Sequence, residues 1–96
     1  MKIKLINPPS PFLLDDRVFP PLGILQVASV LEEAGHDVEV ADLGGVADYN
    51  SKMATECSGG WDLYGITATT PQFPMSVDIL NTIRTVDPGK RVLIGG

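Results

Sequence analysis

The chain has 96 residues, 44% of them apolar, and seven basic against twelve acidic side chains for a formal charge of −5. That length makes one small domain, and that apolar fraction argues for a globular chain and against disorder. The basic residues are scattered singly, which argues against nucleic-acid or anionic-membrane partners, and no apolar run nears the roughly 20 residues needed to span a bilayer.

Residues 2–7 alternate polar and apolar before turning fully apolar, and predict a first strand. The segment that opens the chain has only a short apolar stretch and no small-residue cleavage site, so it does not read as a signal peptide. One cysteine offers neither a disulfide framework nor a metal cluster, and the expected compartment is the cytoplasm. Asn7-Pro8-Pro9-Ser10-Pro11 cannot continue the strand, because three prolines lack the backbone N–H. Residues 8–20 form a loop, longer than the usual two to six residues of a βα connection, and a loop of that length at a strand end points to function.

Pro21-Leu22-Gly23 opens a helix whose Leu22, Leu25, Val27, Ala28, Val30 and Leu31 suggest a broad apolar surface for packing on a sheet. Gly35 suits its left-handed cap, and residues 38–42 predict a second strand. After the turn Leu43-Gly44-Gly45, residues 46–58 carry Tyr49, Met53 and Ala54 or Cys57 at helical spacing, and Gly59-Gly60 stops that helix. Residues 61–67 predict a third strand. A third helix starts at Pro74-Met75-Ser76, buries Ile79, Leu80, Ile83 and Val86, and turns Arg84 outward. Asp87-Pro88-Gly89 is a turn, and residues 91–94 a fourth strand before Gly95-Gly96.

A β-α-β-α-β-α-β order with short bottom turns implies an α/β fold: a parallel sheet with helices on both faces, Rossmann-like and specifically flavodoxin-like. Right-handed crossovers give an expected strand order 2-1-3-4, truncated after the fourth strand. The fourth strand would be an exposed apolar edge, which reads as a fragment of something longer or as an edge covered by another chain. In that order the topological switch point lies between the first and third strands. Their C-terminal loops, Asn7-Pro8-Pro9-Ser10-Pro11 and Thr67-Ala68-Thr69-Thr70-Pro71, face one another across the expected crevice.

Neither Gly-x-Gly-x-x-Gly nor a phosphate loop with its lysine occurs, so the dinucleotide and nucleoside triphosphate readings lose their support. The third strand ends in Thr67 and not in the aspartate of an aspartyl-phosphate receiver. No Cys-x-x-x-Cys-x-x-Cys occurs to hold an iron–sulfur cluster. His36, the single histidine, enters the second strand at the end opposite the crevice and reads as a capping or solvent group. Cys57 reads as a small apolar filler. Asp15, Asp16 and Arg17 are either a polar contact group or a solvated loop tip. Thr67, Thr69 and Thr70 offer hydroxyl donors and acceptors beside the positive end of the third helix, suited to a phosphate, an amide or a polar cofactor tail. The competing reading is that these threonines only cap the helix. Gly95 and Gly96 lie at the same end, where a missing side chain lets a flat ligand approach or simply makes a turn.

Five stretches together carry a family resemblance: Asn7-Pro8-Pro9; Phe19-Pro20-Pro21-Leu22-Gly23-Ile24-Leu25; Leu31-Glu32-Glu33-Ala34-Gly35-His36-Asp37-Val38; Gly65-Ile66-Thr67-Ala68-Thr69-Thr70; and Ile94-Gly95-Gly96. In order and over nearly the whole chain they resemble the N-terminal cobalamin (vitamin B12)-binding domain of cobalamin-dependent radical SAM enzymes. The resemblance implies that residues 1–96 are a cobalamin-binding-like Rossmann domain, incomplete at its C-terminus, that holds the cobalt cofactor at its strand ends. It places Pro8, Pro9 and Ser10 in a first contact loop, Thr67, Thr69, Thr70 and Gln72 in a second, and Gly95 and Gly96 in a third. No histidine stands after the first strand where mutase-type cobalamin domains carry their axial ligand, so the cobalt is expected to have no protein histidine ligand. Such enzymes continue into a barrel with the iron–sulfur cluster and S-adenosylmethionine. The chain is therefore expected to bind cobalamin without a catalytic centre of its own, the reaction (methyltransferase- or cyclase-like) belonging to a longer parent enzyme. Two further readings are an interaction module of the same fold that binds no cofactor and pairs through its fourth strand, with a second copy or a missing C-terminal domain, and a glycosyltransferase N-terminal half-domain. The last fits poorly, since it wants a Gly-rich loop where Asn7-Pro8-Pro9 stands.

Overall fold

The computed structural model describes residues 1–9, 22–44, 46–67 and 73–95, with the backbone alone described for Leu22 and Gly23. Four strands, β1 (Lys2–Asn7), β2 (Asp37–Asp42), β3 (Leu63–Thr67) and β4 (Arg91–Gly95), alternate with helices α1 (Leu22–Glu33), α2 (Tyr49–Glu56) and α3 (Phe73–Val86). The strands form one all-parallel sheet in the order β2-β1-β3-β4, the expected Rossmann-like arrangement. No helix among the described residues is long and apolar enough to cross a membrane.

The period-two alternation of the strands divides the core into two layers. Ile3 and Leu5 of β1 point to one face and pack with Ile24 and Ala28 of α1, with Leu31, Val38, Val40 and Leu63 around them. Ile6, Ala41, Tyr64 and Ile66 point to the other face and meet Met53 and Cys57 at α2 and Ile79 and Ile83 of α3. Gly65 stands on the α1 face, where a Cβ would come within 2.8 Å of a Leu5 methyl carbon, so a side chain there would push the end of Leu5 aside.

Helices α1 and α2 end on identifiable devices. His36 N–H donates to Leu31 O at 3.1 Å and Gly35 N–H to Glu32 O at 3.0 Å, the paired bonds of a Schellman cap, with Gly35 at φ +94°. Met53 and Cys57 do point inward as the helical spacing predicts, but α2 begins at Tyr49, after a turn, and not at residue 46. It tightens into a 3-10 turn over Cys57–Gly59, and Gly60 at φ +71° stops it. Leu25, Val27 and Val30 lie exposed on α1, against the broad apolar surface expected, because only the turn-spaced positions Ile24, Ala28 and Leu31 face the sheet. Val86 is likewise exposed at the end of α3, and Ser76 takes a place in its buried stripe.

Candidate functional site

The C-terminal ends of the four strands lie in register. Asn7 pairs with Asp42 across β1 and β2, and Thr67 with Gly95 across β3 and β4. Counting by twos along each strand puts Asp42, Asn7, Thr67 and Gly95 on the α1 face, since Val40, Leu5 and Leu63 are the members of that face further down. A row of four residues thus crosses the top of the sheet at the strand ends, where open α/β sheets bind ligands.

Hydrogen bonds tie this row together. Asn7 Nδ2 donates to Asp42 Oδ1 at 2.9 Å, and the Gly44 N–H donates to the same oxygen at 3.0 Å, closing an Asx turn after β2. Thr67 Oγ1 lies 3.3 Å from Asn7 Oδ1 and 3.4 Å from Ile6 O. A carboxylate only accepts, so the Asn7 amide must turn its nitrogen toward Asp42 and leave its oxygen toward Thr67. The Thr67 hydroxyl therefore donates its one proton inward, to Asn7 Oδ1 or Ile6 O. From the other side Ser76 Oγ, on a fully buried residue of α3, donates to Thr67 O at 3.2 Å and anchors the first turns of α3 to the end of β3.

Of the residues predicted to form the site, Pro8, Pro9, Thr67 and Gly95 are described. Pro8 and Pro9 are buried directly after the end of β1. Thr67 is half-buried in the row just described. Gly95 is exposed on β4, and a Cβ built there meets nothing within 4 Å, so the space over it is open. Ser10, Thr69, Thr70, Gln72 and Gly96, like Asp15, Asp16 and Arg17, lie outside the described residues. Sequence reasoning set Asn7 at the head of the loop facing the expected crevice but not among the contact residues, and it missed Asp42 and Ser76 as members of the site. The available signal was that three strands each end on a polar residue of the same parity, but only the strand register shows that these ends meet.

Two other polar clusters stand away from the crevice. His36 is at the N-terminal end of β2, its Nδ1 3.4 Å from the amino group of Met1. A shallow depression of about 350 Å3 between α2 and α3 is lined by Asn50, Asp78, Asn81, Thr82, Thr85 and Val86. Hydrogen bonds already cross this seam, from Tyr49 Oη to Asp78 Oδ2 at 2.8 Å and from Thr82 Oγ1 to Asn50 Oδ1 at 3.1 Å. Hydrogen bonding to Asp78 raises the Tyr49 phenol above its ordinary range and keeps it a donor. These groups hold helix to helix and offer no chemistry to the strand ends. Comparison of the chain with protein-family models and with curated proteins finds no match.

Proposed function

We propose that the chain is a cobalamin-binding module resembling the N-terminal part of a cobalamin-dependent radical SAM enzyme, with the catalytic centre belonging to a longer parent. The observation that supports this reading is that a Cβ built on Gly95, the register partner of Thr67, meets nothing within 4 Å, so among the described residues no side chain stands over that end of the sheet. The residues fit a corrin rim, which bears amide side chains: Thr67 keeps acceptor capacity, and Gly95 removes the side chain that would keep a planar ring away. Pro8 and Pro9 shape the first loop, and Ser10, Thr69, Thr70, Gln72 and Gly96 complete the contact set on this reading. Bound cobalamin supplies one-carbon or radical chemistry at cobalt. His36 lies at the far end of the sheet, so the reading gives the metal no histidine from this chain. The iron–sulfur cluster and S-adenosylmethionine belong to the parent enzyme, and a cytoplasmic location goes with the same reading.

Titration with hydroxocobalamin and methylcobalamin, followed by desalting and absorbance, tests it. Retained corrinoid with a base-off spectrum is the expected result. Gly95→Leu, which fills the open space, is expected to weaken retention about tenfold or more while leaving the urea midpoint unchanged. No colour retained by the unaltered protein at micromolar concentration overturns the reading. A second reading, an interaction module that pairs through β4, is favoured by one observation: Leu93 and Ile94 of that strand are 60% and 40% exposed.

A further inference from the structure

The polar row at the strand ends has a hydrogen-bonding polarity that follows from its proton arrangement. Asp42 is exposed, and Asn7 Nδ2 and the Gly44 N–H both bind its Oδ1. Its Oδ2 has no hydrogen-bond or ion-pair partner among the described residues, so two donors fix the carboxylate while one oxygen stays open. Two strand spacings away, about 9–10 Å, the Thr67 hydroxyl has Ile6 O at 3.4 Å and Asn7 Oδ1 at 3.3 Å as acceptors for its proton, and with these made it offers a visitor its lone pairs. Between them stands Asn7, whose amide is oriented by the first residue and in turn orients the second. Both ends of this three-residue relay are therefore acceptors.

We infer that the crevice floor is donor-selective: Asp42 Oδ2 and Thr67 Oγ1 accept hydrogen bonds from N–H or O–H groups on the rim of the ligand, and the floor rejects phosphate and carboxylate. Asp42 is then a specificity-determining residue and Asn7 the residue that positions it. The inference rests on the cobalamin reading for its ligand class, a corrinoid whose rim carries primary carboxamides. It narrows the expectation of a phosphate, an amide or a polar cofactor tail at the Thr67 region to the last two, since an anion there would meet a carboxylate and a hydroxyl without a proton to give.

The test compares two corrinoids that differ at the rim. Cobinamide carries amides, and cobyrinic acid carries carboxyl groups in their place. The unaltered protein, titrated with each by absorbance, is expected to bind cobinamide at least about tenfold more tightly, with inorganic phosphate failing to displace it. Asp42→Asn places an N–H where Oδ2 stands. It is expected to weaken cobinamide binding about tenfold and to narrow the gap to cobyrinic acid, with circular dichroism confirming the fold. Equal affinities for the two corrinoids, or displacement by phosphate, overturn the donor-selective floor and leave the cobalamin reading standing. That comparison needs no variant, so a misfolded Asp42→Asn does not blunt it. If the unaltered protein retains neither corrinoid, the cobalamin reading falls and this inference falls with it.

Discussion

Lys4 is a charged residue in the middle of a core strand, with its side chain only 4% exposed and ion-paired to Glu56. Its ammonium lies 4.9 Å from the centroid of the Trp61 ring, whose indole N–H donates to Glu56 O at 2.8 Å. The ion pair thus locks the end of α2 onto the middle of β1. The two partners are not equivalent, because Glu56 is 24% exposed and has Lys52 3.7 Å away as a second cation. Removing the carboxylate strands a buried ammonium, whereas removing the ammonium leaves a carboxylate that water can reach. Glu56→Gln is therefore expected to cost about 2–4 kcal/mol and Lys4→Met only about 1 kcal/mol, as read from urea unfolding at neutral pH. Equal costs would contradict the asymmetry. The hydrogen bond from Lys4 holds the Glu56 carboxyl below its ordinary value of 4.5. A depressed folded-state value means that the stabilisation is fully present above that ordinary value and is lost as pH falls through the lower, folded one. Unfolding midpoints between about pH 5 and pH 3, the carboxylate range, should fall more steeply in the unaltered protein than in Glu56→Gln. Cys57 runs the other way: burial pushes its thiol up, so in the folded protein it should react with a thiol reagent far more slowly than in denaturant.

Among the elements, α1 shows what a glycine does when space is not the issue. Gly35 sits at φ +94° with nothing within 4 Å of a Cβ, so Gly35→Ala meets no clash and its cost is backbone strain alone. An expected loss of about 1–2 kcal/mol, with both cap hydrogen bonds strained, can be checked by thermal or urea unfolding. This cap was legible in the sequence because it is local: a glycine after the last periodic residue, followed by a strand. The same holds for the four strands, the three helices and their order, all of which rest on period and punctuation within a dozen residues. Longer-range outcomes were not legible. Lys2-Ile3-Lys4 reads as alternation, yet nothing local says that Lys4 is buried against α2 while Lys2 is exposed and reaches Gly59 O at 2.6 Å. Leu25, Val27 and Val30 look like core residues until the sheet is in place and only one stripe of α1 touches it. For the site, Thr67 and Gly95 were found as loop residues, but their neighbours Asn7 and Asp42 join them only through the parallel register, which couples positions 35 residues apart.

For the molecule as a whole, the two edges of the sheet differ. The β2 edge carries exposed Asp37, Glu39 and Asp42, and such charges discourage a further strand from pairing there. The β4 edge carries Arg91 at its start and then Leu93 and Ile94, 60% and 40% exposed. Among the described residues, β4 has a strand on one side only, unlike β1 and β3 in the sheet centre, so its second row of backbone groups faces outward with apolar side chains above and below. An edge of this kind favours strand addition, and sedimentation velocity at rising protein concentration is expected to show reversible association. Leu93→Lys, which places a charge on that edge, should abolish the association. It should also leave corrinoid retention unchanged, since Leu93 stands two residues below the strand end where Gly95 meets the crevice. Gly95→Leu should do the reverse. If Leu93→Lys removes association and corrinoid retention together, the edge and the crevice are one functional unit, and the binding site is completed only by what pairs with β4. A chain that stays monomeric at millimolar concentration while retaining corrinoid would remove the interaction reading, and β4 would then be an edge that its charge and short length of five residues already protect.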